Sequence, residues 1–243
     1  MKIYAFSKRC AREILRDPLN LLFGLGFPVV LLLLLSAIQK GVPVELFEIS
    51  TLAPGISVFG LSFVTLFSAT LVARDRENAF LQRLYTAPLS SADFILGYMI
   101  PIIPISVAQA AVSYLVAILI GLEVGFNIVF ALLFIVPTSL FYIALGVLCG
   151  SIFNVKQVGG ICGALLTNLS AWLSGVWFDI ELIGGGFSKI ANLLPFVHAV
   201  ELQRAVISGN YDQILTRTYP VLVYAAVTML GAVLLFLRQM KRQ

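Results

Sequence analysis

Charged residues divide the chain into intervals that contain none, and six of these intervals are long enough to cross a membrane. A spanning helix needs about 18 or more apolar residues. A transmembrane strand instead alternates over about 10 residues, and these runs do not alternate. The pattern predicts an all-α membrane protein with one transmembrane domain over residues 1–243. The six predicted spans are about 19–39, 52–73, 94–121, 127–153, 157–178 and 218–237.

Composition agrees with this interpretation, and charge orients it. Hydrophobic residues make up 60% of the chain and charged residues 12%, against roughly 25% charged residues in soluble domains. With six spans, 12 of the 16 lysines and arginines fall on the side of the termini. Cytoplasmic loops carry this excess, so we expect both termini in the cytoplasm. Because no soluble basic domain is present, we expect no nucleic-acid partner.

The segment 74–93 lies between the second and third spans and holds six charged residues. Asp75 is expected to cap a short helix that Pro88 ends, and Ser90 with Asp93 is expected to start the next helix. The apolar face of the short helix would consist of Phe80, Leu81, Leu84 and Tyr85. The pattern predicts an amphipathic helix at the cytoplasmic surface. Its apolar face would contact either lipid or a partner protein.

The first 17 residues are basic and also amphipathic. Lys8, Arg12 and Arg16 fall on one helical face, and the other face holds Ile3, Phe6, Cys10 and Ile14. This arrangement predicts an interfacial helix over 1–17, with its cations near the headgroups. A signal peptide is the alternative. An uncleaved anchor is favoured, because the basic region is unusually long and no convincing small-residue cleavage site follows.

The long segment before the last span is too apolar for an ordinary exposed loop. The turn at 184–186 divides it, Pro195 suits a helix start, and Gly209 suits a helix stop. We therefore predict two short helices on the outer side, which dip into the leaflet or pack over the bundle.

Polar residues inside the predicted spans are candidates for a translocation path. They are Ser68, Gln109, Thr167 and Asn168. The alternative is that each one hydrogen-bonds between helices or to its own helix, and for any single residue this alternative is favoured.

Several kinds of chemistry are not indicated. The chain lacks a Gly-Lys pair and so has no Walker A phosphate cradle. Its spans hold no ionisable residue of the kind that proton- or ion-coupled carriers use. The only histidine, His198, is expected to be structural. The three cysteines suggest neither a disulfide framework nor a metal site. We therefore expect no catalytic residue, no metal and no cofactor in this chain.

The residues resemble the membrane permease of the ABC-2 type transporters over nearly the whole chain. In that family, the loop after the second span carries an Arg-Glu-rich motif that runs into Leu and then Thr-Pro or Thr-x-Pro. The matching residues are Arg74, Arg76, Glu77, Leu81, Leu84, Thr86, Pro88, Leu96 and Gly97, and before the last span Leu194, Pro195, Arg204 and Gly209. Ala79, Phe80 and Gln82 stand where the family usually has Gly-Thr and Glu, which leaves the subfamily open.

This resemblance implies the membrane half of an ATP-driven exporter in a bacterial inner or other plasma membrane. Two permease copies, or this chain and a related one, would form the path, and separate ATPase subunits would bind ATP and Mg²⁺. Segment 77–87 would be the coupling helix that docks on the ATPase. Its contact residues would be Arg76, Glu77, Phe80, Leu81, Arg83, Leu84, Tyr85 and Pro88.

The substrate class stays open at this stage. Family members of this length often export drugs, lipids or modified peptides, and polysaccharide or lipid-linked glycan exporters share the architecture. A secondary carrier is disfavoured because the spans lack charges. A membrane-embedded enzyme or a non-transporting scaffold is disfavoured because no catalytic cluster is visible.

Overall fold

The computed structural model describes residues 2–41, 44–78 and 91–240, and these residues form helices and short turns without a strand. The α-helices are α1 Lys2–Leu15, α2 Pro18–Leu21, α3 Phe27–Gly41, α4 Ile49–Phe59, α5 Leu61–Glu77, α6 Ser91–Met99, α7 Ile103–Ile120, α8 Phe126–Ile152, α9 Val155–Gly160, α10 Thr167–Leu173, α11 Ile180–Ile183, α12 Gly185–Leu193, α13 Pro195–Ile207 and α14 Asp212–Met240. Leu22–Gly26 and Ile161–Leu166 are π-helical, and Glu45–Phe47 is a 3₁₀ turn.

Among the described residues, five helical stretches are long and apolar enough to cross a membrane. They are Leu22–Gly41, Ile49–Glu77, Asp93–Ile120, Phe126–Ile152 and Asp212–Leu235. They overlap the first four predicted spans and the last one, so five helices that could cross a membrane are present where spans were predicted, while the exact bounds stay predictions.

The fifth predicted span is helical but is not among these five stretches. The chain is helical through α9, the following π-helical turn and α10. Lys156, Gln157 and Asn168 reduce the apolar character of this stretch. A sixth span at 157–178 therefore stays a prediction.

The helix of the third span is interrupted near its start. α6 ends at Met99 and α7 begins at Ile103, with Pro101 between them and Pro104 in the first turn of α7. Proline removes a backbone donor and disfavours helical geometry at the preceding residue. The two prolines therefore account for the interruption between α6 and α7.

The core of the bundle is the contact between α5 and α8. Most of the stretch Ile49–Glu77 is buried, whereas the first and last stretches are mostly exposed on the outside of the bundle. At Gly150 of α8, an added Cβ would overlap the carbonyl oxygen of Ala69, and at Gly146 it would overlap the Ser68 hydroxyl. The missing side chains let the two backbones approach closely, as small residues do in membrane helices.

Alternating helix directions bring two sets of polar residues to opposite ends of the bundle. We call one the Arg76 end, where α5 and α8 finish, α6 and α9 begin, and α1 packs. We call the other the Arg204 end, where α4 begins, α10 finishes and α13 packs. The position of each end relative to the cytoplasm stays a prediction.

The segment between α10 and α14 forms three helices where two were predicted. Gly184 and Gly185 have φ of +63° and +60°, which separates the short α11 from α12. α13 begins at Pro195 as predicted, and Gly209 follows its end with φ of +74°. α13 packs within the bundle, because most of its residues are buried and it contacts α4, α8 and α14.

Candidate functional site

The predicted contact with the ATPase falls largely outside the described residues. Phe80, Leu81, Arg83, Leu84, Tyr85 and Pro88 all lie in 79–90, so their predicted face stays a prediction. Arg76 and Glu77 lie in the last turn of α5, and they define the point at which the predicted coupling segment begins.

Arg76 and Glu77 join the end of α5 to the turn between α8 and α9. The Arg76 guanidinium donates to the carbonyl oxygens of Gly150 at 2.8 Å and Phe153 at 3.3 Å. These carbonyls lie at the C-terminal end of α8, where a cation is favourable and backbone acceptors lack helical partners. The Glu77 carboxylate accepts from the Val155 backbone N–H at 2.9 Å, at the N-terminus of α9.

The same turn has its own capping interactions. The Asn154 side chain accepts from the Gln157 backbone N–H, and the Gln157 side chain accepts from the Asn154 backbone N–H. This reciprocal capping box satisfies two donors that the helix start leaves free. Three elements, α5, α8 and α9, are therefore linked by polar contacts at the position where segment 79–90 leaves α5.

Asp75 does not cap a coupling helix, so that prediction is wrong. It lies inside α5, and its side chain is 1% exposed. Its carboxylate accepts two hydrogen bonds from the Arg9 guanidinium and one from the Tyr98 hydroxyl at 2.8 Å. Because the Arg9 and Tyr98 donors satisfy the buried Asp75 carboxylate, α5 can continue through this residue. A sequence pattern does not reveal partners that lie far apart in the chain.

Arg9 belongs to α1, and its charge is fixed by this contact. Burial alone would lower the pKa of the Arg9 guanidinium, but the hydrogen bond and charge of Asp75 outweigh burial and raise it. Glu13, one turn further along α1, also pairs with Arg9. Arg74 pairs with Asp17 at 3.2 Å, just beyond the end of α1. The N-terminal helix is thus attached to the end of α5 by ion pairs.

The predicted apolar face of α1 packs against other helices of the chain. Phe6, Cys10 and Ile14 are almost fully buried. The Phe6 ring packs edge-on against Tyr98 at 4.9 Å, and an added Cβ at Gly97 would overlap that ring. Burial raises the pKa of the Cys10 thiol to about 12, so it stays protonated and unreactive near neutral pH. The helix Lys2–Leu15 lies within the predicted segment 1–17, whose position at the membrane interface stays a prediction.

The four candidate path residues are not brought together. The Ser68 hydroxyl lies between α5 and α8 and donates to backbone carbonyls, including that of Ile143 at 3.3 Å. Gln109 is 2% exposed and lies over Gly60. Its amide nitrogen donates to Ser113 at 3.3 Å, and its amide oxygen has no partner among the described residues.

The two remaining candidates are neighbours with opposite exposure. The Thr167 hydroxyl is buried and donates to the Cys162 carbonyl at 2.9 Å, whereas Asn168 is exposed and its amide donates to the Ala164 carbonyl at 2.8 Å. Asn168 is therefore the candidate that the fold leaves available to something outside this chain. A role for all four in a path stays a prediction.

Sequence reasoning missed a buried polar network near the Arg204 end. The Tyr114 hydroxyl of α7 donates to the Gln203 side chain at 3.0 Å, and the Gln203 amide donates to the Ala131 carbonyl of α8 at 3.2 Å. Both side chains are almost fully buried. The available signal was Gln203 itself, a polar residue next to the Arg204 that the family pattern contains.

His198 has a structural role, as expected. Its Nε2 lies 2.9 Å from the Asn192 carbonyl oxygen, and its Nδ1 lies 3.4 Å from the Arg217 guanidinium. Because a carbonyl only accepts, Nε2 carries the proton and Nδ1 is the acceptor. Arg217 also pairs with Glu201 at 2.5 Å. The histidine thus links α12, α13 and α14.

Several apolar helices packed around a buried core define a multi-pass protein of the cell membrane. The family of ABC-2 type transporters matches residues 1–208 of the chain. The chain belongs to this family and is the membrane permease component of an ABC transporter.

Individual relatives are similar at low identity. Nodulation protein J from Bradyrhizobium diazoefficiens is 24% identical over 229 residues, which are 94% of this chain and 86% of that protein. The probable multidrug ABC transporter permease YbhR from Escherichia coli K12 is 23% identical over 197 residues, which are 79% and 52%. The putative transport permease ycf38 from Porphyra purpurea is 36% identical over 100 residues, which are 39% and 34%. The chain thus spans about half of YbhR and a third of ycf38.

Proposed function

We propose that this permease exports an amphipathic or hydrophobic substrate, powered by separate ATPase subunits that bind ATP and Mg²⁺. The observation that carries this proposal is the polar linkage of Arg76 and Glu77 to the turn between α8 and α9. A segment that leaves α5 at this point is mechanically connected to three helices. Docking of 79–90 on an ATPase would therefore move more of the bundle than α5 alone.

The tight contact of α5 with α8 supports transmission along the bundle. With no room for a Cβ at Gly146 or Gly150, the two helices move together, because packed interfaces do not deform continuously. ATP binding and hydrolysis in the partner would then shift α5, α8 and α9 as one unit. In this proposal, both termini, the Arg76 end and segment 79–90 face the cytoplasm, in a six-span topology.

The proposed substrate is a drug, a lipid or a modified peptide. Within the described spans, polar side chains such as Ser68 and Gln109 are buried, so the surroundings that a substrate would meet are rich in large apolar side chains such as Leu119 and Leu133. Such surroundings suit apolar cargo with few polar groups. The name of YbhR, a probable multidrug permease, supports the drug class.

The proposed assembly contains two permease copies. Asn168 is exposed, and although its amide donates to the Ala164 carbonyl, the remainder of the amide would be costly against lipid. A second copy, or a polar path between the copies, would satisfy it.

The decisive variant changes the predicted apolar face of the coupling segment. Leu84→Asp replaces an apolar anchor with a charge, and burial of one such anchor contributes about 1.5–3 kcal/mol. We expect copurification with the ATPase to fall by about tenfold or more, because 1.4 kcal/mol corresponds to a factor of ten in affinity. ATP-dependent transport in vesicles should fall with it, while the permease still reaches the membrane.

Gln82→Asp is the matched control, because residue 82 lies on the opposite face of the predicted helix and takes the same new charge. It should leave both copurification and transport close to wild type. Normal ATPase binding together with normal transport in Leu84→Asp would overturn the coupling role of this segment.

A further inference from the structure

Arg204 is a charged residue that the described fold leaves without an anionic partner. Its Nε donates to the Thr51 carbonyl at 3.2 Å, and its Nη2 donates to the Gly175 carbonyl at 3.0 Å. Within 2–41, 44–78 and 91–240, no carboxylate forms an ion pair with it. Burial lowers the pKa of its guanidinium, and the negative charges of Glu201 and Asp179 offset only part of this effect. An anion from outside the chain would stabilise this partly buried cation further.

A cavity of about 290 Å³ opens beside this guanidinium, between the start of α4, the end of α13 and the start of α14. Its ionisable lining consists of Arg204, Arg217 and Glu201. Since Glu201 is paired with Arg217, it compensates the charge of Arg204 only in part. Hydroxyl and amide groups complete the lining, at Ser50, Thr51, Ser208 and Gln213 among others.

Hydrogen bonds to backbone carbonyls hold the Arg204 side chain in place beside the cavity. Two of its nitrogens are fixed by carbonyl oxygens from different elements, so little side-chain entropy is lost when the remaining donors bind a ligand. On its other side, Arg204 borders a second cavity of about 160 Å³, which Asp179 and Glu181 also line. An anion is repelled from that acidic cavity, so it would occupy the first one.

The cavity lies where two membrane stretches begin. Ser50 and Thr51 belong to the first turn of the stretch that starts at Ile49, and Gln213 belongs to the first turn of the stretch that starts at Asp212. The ends of spanning helices lie at the depth of the lipid headgroups, which flank a hydrocarbon core about 30 Å thick. Phosphate groups are concentrated at this depth.

We propose that the cavity beside Arg204 binds a phosphate group, either that of a phospholipid headgroup or free phosphate. Arg204 supplies the charge and the remaining guanidinium donors, because a planar guanidinium suits phosphate oxygens. The hydroxyl and amide groups of α4, α13 and α14 supply further donors. Binding would connect these three helices at the Arg204 end through one ligand.

The test uses the purified full chain in detergent and native mass spectrometry. The probes are a short-chain phosphatidylglycerol, inorganic phosphate, and an uncharged diacylglycerol of the same chain length. Gln213→Glu places a carboxylate in the cavity without removing Arg204. It should weaken binding of the phosphate-bearing probe by about tenfold or more, since hydrogen bonds to charged groups are among the strong ones.

Thr216→Glu is the matched control, because Thr216 is exposed on the same helix and outside the cavity lining. It should bind as wild type does. Arg204→Gln should lose binding as well, but Gln213→Glu keeps the test valid if that variant does not fold. Phosphatidylglycerol binding that inorganic phosphate does not displace identifies the lipid as the source, and binding of phosphate alone identifies the free ion.

Equal binding of diacylglycerol and phosphatidylglycerol, or full binding by Gln213→Glu, would overturn the site. The assay requires neither an ATPase nor transport, so its outcome is independent of the proposed export function.

Discussion

Among single residues at the Arg76 end, Asp75 is a buried carboxylate that is held by hydrogen bonds from two other helices. Its carboxylate has donors from α1 and α6, although it belongs to α5. Removing one member of a buried charged pair costs more than the pair itself contributes, because the remaining group stays desolvated. Arg9 is 34% exposed, so water can partly solvate its guanidinium when the Asp75 carboxylate is removed.

We predict that Asp75→Asn lowers the free energy of unfolding by about 1.5–3 kcal/mol, the range for hydrogen bonds to charged groups. Thermal unfolding of the purified protein in detergent measures this effect. Arg74→Gln is the control, because its pair with Asp17 is 42% exposed on the arginine side and should contribute only about 0–1 kcal/mol. Equal losses for the two variants would show that Asp75 has no special role.

The double variant Arg9→Met with Asp75→Asn, compared with each single variant, measures the interaction energy between the two side chains. Residues in direct contact have non-additive effects. The combined loss should therefore be smaller than the sum of the two single losses.

The residue scale is also where sequence reasoning was weakest. The apolar face of α1 was predictable, because Phe6, Cys10 and Ile14 follow helical spacing. The role of Asp75 was not, since its partners lie 66 and 23 positions away. An Asp near the end of an apolar run looks like a helix cap unless the distant Arg9 is known to reach it.

Among elements, the α5–α8 contact is the one that tolerates least change. We predict that Gly150→Ala lowers the free energy of unfolding by about 1–3 kcal/mol, because the added Cβ would overlap backbone at Ala69 and overpacking costs this much. Chemical or thermal unfolding followed by circular dichroism measures the loss.

Gly159→Ala is the matched control, since nothing lies within 4 Å of a Cβ added there. It should leave stability unchanged or raise it by up to about 1 kcal/mol, the difference in helix propensity. A similar loss in both variants would mean that glycine matters here only for backbone flexibility.

Element boundaries were predictable where charge or proline marks them. Pro195 begins α13, and the five apolar stretches follow the charge-free intervals. The turn at 184–186 was predicted, but three helices in place of two were not, because the first, Ile180–Ile183, is only four residues long and leaves no periodic signal. The burial of α13 was not predicted either, since a polar pair such as Tyr114 and Gln203 leaves no periodic signal.

For the whole molecule, Asn168 is the residue that tests the proposed contact with a second permease copy. We predict that Asn168→Cys forms a disulfide-linked dimer in membranes treated with an oxidant, because the exposed amide would face a second copy. Gel electrophoresis without reductant measures the product. The native cysteines are all buried, so they should contribute little background.

Gln109→Cys is the corresponding control, since residue 109 is buried within one chain. It should remain monomeric under the same conditions. If Asn168→Cys also stays monomeric while the transporter is active, the two-copy interface does not include this face.

The ion pair between Arg9 and Asp75 has a consequence for biogenesis. Asp75 is translated 66 residues after Arg9, which at typical synthesis rates is about 3–13 s later. Throughout that interval α1 has its apolar face exposed, and an amphipathic helix in this state rests at the membrane surface. α1 reaches its final place only after α5 and α6 have been inserted. α1 is therefore synthesised before the helices that it packs against, yet it is assembled after them.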